Sequence, residues 1–187
     1  MSLFDSVTRP LSFPADGIRR DGLIYRLPTA DDVGLLAPVF QDKSIADEAN
    51  LPPLGPEELR GYISSVPQLL ENSTLLPLVI ADAESRRILG GMALHAFNWQ
   101  LGQIEIGYWL LEDARGRGVA TRAARFAAEY GFSLGADRIE ARVFVGNTAS
   151  ERVLERAGFT REGVIRSLPR RWGGRSDMTL FSLLPGE

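Results

Sequence analysis

An apolar strand pattern, a turn with two glycines and an alanine-rich helix pattern follow one another without a break between Ile104 and Leu134. Ile104–Leu111 has the apolar character of a buried strand. The run Ala114-Arg115-Gly116-Arg117-Gly118-Val119-Ala120-Thr121 supplies the turn. Val119, Ala123, Phe126, Ala127 and Tyr130 then recur on one helical face, and the many alanines allow close approach to a sheet. This stretch alone commits the chain to a helix laid on a sheet. It also bares N–H groups at a helix N-terminus, where the dipole and the free donors favour an anion such as a phosphate. Arg115 and Arg117 add positive charge there.

Two nucleotide patterns are excluded at this junction. A P-loop needs Gly-Lys followed by Ser or Thr, and that sequence occurs nowhere in the chain. A dinucleotide fingerprint needs a third glycine where Thr121 stands. A turn with two solvated arginines, serving no ligand, is the plain alternative.

The 187 residues suit one compact domain able to bury roughly 70% of its unfolded surface. A formal charge of −3 argues against a general nucleic-acid binder. No apolar run approaches a membrane-spanning length, and Met1–Ser6 lack the marks of a secretory signal. With no cysteine, disulfides and thiolate metal sites are excluded. His95 is the single histidine, which disfavours a histidine metal centre or a Ser-His-Asp triad, and its alternating apolar surroundings suggest a structural role. The expectation is a cytoplasmic protein with no metal, no membrane partner and no nucleic-acid partner.

Along the chain, residues 1–22 read as an N-terminal arm with little regular structure, and residues 23–187 as a single domain. Strands are expected at Leu23–Leu27, Leu76–Ala81, Ile88–Trp99, Leu101–Leu111, Arg138–Val145, Phe159–Leu168 and Asp177–Leu184. Helices are expected from Thr29 or Asp31 to Gln41, with a break suggested by Pro38, then over Glu57–Glu71, from the glycine turn to Leu134, and from a capping-box pattern at Thr148–Glu151 to Gly158. Asp42–Pro56 reads as a loop. The fold class is mixed α/β: a central, mostly antiparallel sheet of about seven strands flanked by about four helices.

The spacing Arg115-x-x-Gly118-x-Ala120 resembles the Gln/Arg-x-x-Gly-x-Gly/Ala loop of the GNAT N-acetyltransferase superfamily. Ile104-Glu105-Ile106-Gly107-Tyr108-Trp109-Leu110 resembles the strand before that loop, the fourth in the family's order, in the RimJ/RimL-type branch. Asn147-x-x-Ser150-x-x-Val153-Leu154-Glu155-Arg156-Ala157-Gly158-Phe159 is similar to that branch's next signature. The resemblance covers Ile104 to Leu184 by motif and the first half by layout.

That resemblance implies an acetyl-CoA cosubstrate. The backbone around Leu110 and Leu111 would hydrogen-bond the pantetheine arm, and Arg115, Gly116, Arg117, Gly118, Val119, Ala120 and Thr121 would hold the pyrophosphate. Asn147 would touch the pantetheine region, with Ser150 near the sulfur as proton donor or orienting group; both residues also suit a helix N-terminus. Gly107 would mark a bulge that splays two strands. Glu105, a carboxylate in an apolar strand, would accept the amine proton; its alternative is a structural ion pair with an arginine such as Arg142. The family's tyrosine acid has no counterpart in the corresponding stretch, and Tyr108 and Tyr130 read as structural.

An α-amine, with a pKa near 8, is more readily neutral than a lysine near 10.4, so a site with one modest base suits a protein or peptide N-terminus. Asp42, Asp47 and Glu48 could attract a cationic amine or simply form a solvated loop. Trp99, Trp172 and the final hairpin could wall the acceptor cleft. The alternatives are acetylation of a small amine (amino acid, polyamine or antibiotic), a non-catalytic acetyl-CoA-binding module, and an RNA-binding reading of the Arg-Gly run. The assembly is expected to be a monomer or homodimer.

Overall fold

The structure, a computed structural model, describes residues 8–170 and 173–187, with the side chains of Ala46 and Asp47 outside the description. Its strands are β1 (Ile18–Arg20), β2 (Leu23–Arg26), β3 (Leu75–Asp82), β4 (Ile88–Asn98), β5 (Gln103–Leu110), β6 (Arg138–Phe144), β7 (Thr160–Pro169) and β8 (Arg175–Leu183). The helices are α1 (Val33–Gln41), α2 (Lys43–Glu48), α3 (Pro56–Ser64), α4 (Val66–Glu71), α5 (Val119–Ser133) and α6 (Thr148–Ala157). One eight-stranded sheet runs in the order β1-β2-β3-β4-β5-β6-β8-β7. Among the described residues β5–β6 is its single parallel pair. The mixed, mostly antiparallel GNAT layout expected from the sequence is therefore observed.

Four details differ from expectation. Residues 18–20 of the N-terminal arm form β1, which turns into β2 through Asp21 and Gly22, both at positive φ. Part of the 42–56 loop is helical: the Asp42 carboxylate accepts from the Ser44 N–H at 2.9 Å and its hydroxyl at 2.6 Å, capping α2. The single helix expected over Glu57–Glu71 is two, because Pro67 can enter only the first turn of a new helix, α4. Conversely, α1 passes through Pro38 without breaking, its lost hydrogen bond offset by burial of Val33, Leu36, Ala37 and Phe40.

Both faces of the sheet are covered. Leu76, Leu78 and Ile80 of β3 join the main core with α5, while Val79 points the other way into a second cluster with α1 and α3. That two-sided burial explains the continuous apolar run of β3. Ala123, Ala124 and Ala127 of α5 are wholly buried, so the helix backbone lies close to the sheet. Tyr25 of β2 stacks on Phe126 in the same core, with ring centroids 3.8 Å apart. This packing fixes the N-terminus of α5 at the end of β5. Among the described residues no helix is long and apolar enough to cross a membrane, and no acidic or histidine cluster is placed to hold a metal.

Candidate active site

The site lies where β5 and β6 part. Their parallel pairing runs from Gln103–Arg138 to Ile106–Ala141 and stops there. Beyond Ile106, β5 continues with one edge paired to β4 and the other edge open, so backbone groups on that edge face a wedge between strands. Gly107 stands at the start of the wedge, but it is not a bulge: its register with Ala93 of β4 is regular, and the irregularity of that pair lies between His95 and Asn98. A Cβ on Gly107 would meet only His95 Nε2, at an ordinary 3.7 Å, so close packing beside Trp109 does not require the glycine either.

At the mouth of the wedge, Leu111 ends the strand and a short 3-10 turn, Glu112–Ala114, leads into the glycine turn. Gly118 is the residue before α5 and adopts the left-handed conformation at φ +71, which a side chain would strain. Among the described residues no backbone carbonyl takes the N–H groups of 116–121, whereas the N–H of Arg122 donates to the Gly118 carbonyl. A nest of free donors at a helix N-terminus results. Arg115 stretches beside it, its Nε 3.4 Å from the Leu110 carbonyl and its guanidinium 3.7 Å from Glu48 of α2.

The cofactor positions expected from the sequence line one cavity of about 350 Å³, with two exceptions. Leu111 is turned away, its N–H donating to Leu89 and its carbonyl accepting from Ala114. Arg117 also lies outside the cavity lining. Two arginines that the sequence reading missed, Arg152 and Arg156 of α6, line the same cavity. The free donors and three lining guanidinium groups, Arg115, Arg152 and Arg156, suit a diphosphate, and the apolar stretch along Trp109, Leu110 and Val153 suits a less polar arm.

A narrower cavity of about 140 Å³ continues into the wedge, bringing together Glu105, Tyr108, Arg142, Asn147 and Ser150. Asn147 caps α6 by accepting from the Ser150 N–H at 3.1 Å. The cap is thus Asn147, not a box closed by Thr148; the Glu151 carboxylate instead accepts from the Thr179 hydroxyl at 3.0 Å. The Ser150 hydroxyl has no bonded partner among the described residues, so it is free to meet a ligand. Tyr108, read from sequence as remote, lies against it: the phenol donates to the Ser150 carbonyl at 3.3 Å, and burial raises its pKa far above the ordinary 10.0. It stays protonated, as a hydrogen-bond donor, across the neutral range.

Glu105 pairs with Arg142 at 3.3 Å, the structural alternative recognised in the sequence, and it also faces the cavity. Burial raises its pKa, Arg142 pulls it back down and the neighbouring Glu140 pushes it up again, leaving it above its ordinary value. The same Arg142 lies 3.6 Å from Glu140, which holds Arg138 at 2.7 Å. The residues expected at the acceptor cleft scatter. Asp42 is spent on the α2 cap, Asp47 and Trp172 fall outside the described side chains, and Trp99 is buried in the main core beside Phe97. Glu48 and the final hairpin do reach the site: Glu48, Arg170 and Asp177 line an open cavity of about 760 Å³ alongside Asn147.

A family model described as an acetyltransferase (GNAT) domain matches residues 22–160. The chain belongs to the GNAT acetyltransferase family. This GNAT protein is 29% identical over 167 residues to the Bacillus licheniformis protein named "Uncharacterized N-acetyltransferase p20", an alignment spanning 88% of this chain and 94% of that one. It is an acetyl-CoA-dependent N-acetyltransferase. In fold it matches Mycobacterium smegmatis RimJ in complex with CoA-disulfide at a TM-score of 0.76 and 22% identity, over 95% of this chain and 87% of that one. It matches Vibrio cholerae spermidine N-acetyltransferase, in complex with CoA and spermine, at the same TM-score of 0.76 and 20% identity, over 88% of this chain and 96% of that one. Equal likeness to two differently named enzymes means that the fold does not choose the acceptor.

Proposed function

We propose that this GNAT enzyme acetylates the α-amine of a peptide or protein N-terminus, with the described chain working as one domain. The observation that carries the reading is the half-open β5–β6 pair. It sets a nest of free N–H donors at one end of a wedge and a buried carboxylate, Glu105, at the other. Acetyl-CoA supplies an acyl carbon already activated as a thioester. Arg115, Gly116, Gly118, Val119, Ala120 and Thr121 would hold its phosphates with Arg152 and Arg156, while Leu110 and Asn147 flank its arm.

Glu105 accepts the proton that the amine must lose, directly or through water; its raised pKa makes it a better base than an exposed glutamate. The balance is simple: an N–C bond replaces the C–S bond, one proton leaves the nitrogen, and one proton reaches the departing thiolate. Ser150, with its unengaged hydroxyl at the inner end of the cofactor cavity, is placed to donate or relay that last proton, and Tyr108 stands next to it. The open polar cavity of about 760 Å³ beside Asn147 leaves room for a chain beyond the first residue of the acceptor, which favours a peptide over a small amine. Release of free CoA thiol with N-terminal peptides, compared with polyamines, tests the reading. Tight acetyl-CoA binding with no amine acetylated and no effect of Glu105→Gln would instead support a non-catalytic binding module.

A further inference from the structure

A second cavity, of about 570 Å³, opens from the wedge on the α1–α3 side of the sheet and has no role so far. Its floor is made of small residues, Gly91 and Ala93 of β4 and Gly107 of β5, which share one face of the sheet. A covered sheet face is normally filled by branched side chains from the strands themselves. Here three successive small positions leave a hole that the covering helices do not fill. Leu36 and Phe40 of α1, together with Leu59 and Tyr62 of α3, form its roof, and Leu51 and Pro52 close one side. Trp109 forms a wall and is seated directly on Gly91, where an added Cβ would come within 2.7 Å of the indole nitrogen.

None of the described residues lining this cavity is Asp, Glu, Lys or Arg. Its titratable groups are His95, Tyr62 and Tyr108, and burial pushes Tyr62 up to about 12, so that phenol stays neutral. The cavity shares His95, Gly107 and Tyr108 with the smaller one that holds Glu105, so the two adjoin. His95 and Glu105 are direct cross-strand partners, which sets the carboxylate at the edge of the apolar space. A volume of this size falls within the range of small-molecule sites.

We infer that this cavity binds a large, uncharged, apolar or aromatic group carried next to the reacting amine, making the enzyme selective for α-amines whose first side chain is of that kind. The inference rests on the acetyltransferase reading above and narrows its acceptor class. The amine sits at the Glu105 edge, where a carboxylate offsets its charge. The side group enters the space floored by Gly91, Ala93 and Gly107, where an ammonium or guanidinium group would meet no carboxylate among the described lining residues. Polyamines and lysine-like acceptors are therefore disfavoured, because none of those lining residues offers an opposite charge for their second cation.

The test compares phenylalaninamide, leucinamide, glycinamide, lysinamide and spermidine, by thiol release and by calorimetric binding in the presence of CoA. Phenylalaninamide and leucinamide are expected to exceed glycinamide and lysinamide by about tenfold or more in kcat/KM and in affinity. Ala93→Leu, which fills the floor, should lower the phenylalaninamide-to-glycinamide ratio about tenfold. Leu51→Glu, at a half-buried loop position lining the cavity, should shift the ratio toward lysinamide even if Ala93→Leu fails to fold. Turnover that favours spermidine or lysinamide, or ignores the side group, overturns the inference and leaves the acetyltransferase reading standing. If no amine is acetylated, the reading of the reaction fails, and the calorimetry still decides: selective binding of phenylalaninamide supports the cavity assignment, and equal binding of all five overturns it.

Discussion

Replacing Glu105 by Gln keeps the shape of the side chain and removes its charge, and the two consequences have opposite signs. Glu105 is only 14% exposed, and its pKa is raised because burial opposes ionisation more than Arg142 assists it. A raised folded-state pKa means that the folded protein holds this proton to higher pH than the unfolded chain. The group's contribution to stability is thus greatest below its ordinary value of 4.5 and declines as pH rises through the folded pKa. Wherever Glu105 is ionised its burial works against folding, and Gln relieves it. What Gln forfeits is the 3.3 Å pair with Arg142. That guanidinium is 35% exposed and keeps Glu140 at 3.6 Å, so solvent and the second partner hold the loss below about 1 kcal/mol.

The net change in stability at pH 7.5 is therefore within about 1 kcal/mol, or roughly 4 °C in melting temperature for a domain of this size, with no systematic loss. Activity behaves differently: loss of the proton acceptor is expected to lower kcat/KM by about 10² to 10³. The acid limb of the wild-type pH profile, set above the ordinary glutamate range, should vanish. Thermal unfolding from pH 4 to 8 and thiol-release kinetics over the same range check both halves. Activity within threefold of wild type with the acid limb intact would refute the role of Glu105. A melting temperature lowered by more than 8 °C would refute the account of its energetics.

Gly118→Val places a β-branched residue at φ +71, where nothing but Arg122 Nη1, at 3.7 Å, lies near the new Cβ. The cost is backbone strain of ~1–2 kcal/mol and a displaced donor nest, so calorimetry should show acetyl-CoA affinity falling at least tenfold. Asp32, 5% exposed, accepts two 2.7 Å bonds from Arg26 and a third from the Thr29 N–H. Asp32→Ala strands that guanidinium, costing about 3–5 kcal/mol and roughly 6–20 °C in a melting scan, and pairing it with Arg26→Met should recover part of the loss. Arg138 grips Glu162 with two bonds and holds its pKa down at about 2, against an ordinary 4.5. This contribution is fully present above pH 4.5 and is lost as pH falls through about 2, so acid titration of Glu162→Gln should lack that part of the unfolding slope. Glu162 is 37% exposed, and screening limits the effect to about 1 kcal/mol.

The stretch from β5 through α5 was readable because its signals are local: alternation, two glycines and a helical stripe of alanines within thirty-odd residues. Other local signals were present and missed. Asp21-Gly22 is a two-residue hairpin turn, and recognising it would have yielded β1. Ala149, Arg152, Val153 and Arg156 fall at helical spacing on one face of α6, which would have exposed the two further arginines at the cofactor cavity. α2 was hidden for a different reason: six residues carry too little periodicity, and an aspartate cap holds the helix. The wedge itself was beyond any local reading. Whether β6 follows β5 for four residues or eight depends on contacts between segments some thirty residues apart, and so does the nearness of Tyr108 to Ser150. The same holds for the second cavity, where a small residue is informative only once its neighbours across the sheet are known.

The half-zipped β5–β6 pair has a mechanical consequence. β1–β5 with α1–α4 on one side, and β6–β8 with α6 on the other, are joined along the sheet by the short ladder from Gln103 to Ile106, with α5 bridging behind it. The seam that admits a ligand is also the place where the sheet is least continuous. A molecule lodged there touches the α5 turn on one side and α6 on the other, and so acts as a removable rivet between the two halves. Resistance to opening would then follow the supply of that molecule, rising by RT ln(1 + [L]/Kd). Amide exchange along the free ends of β5 and β6 would read that supply directly, making the least finished part of the sheet a gauge of how well the enzyme is charged.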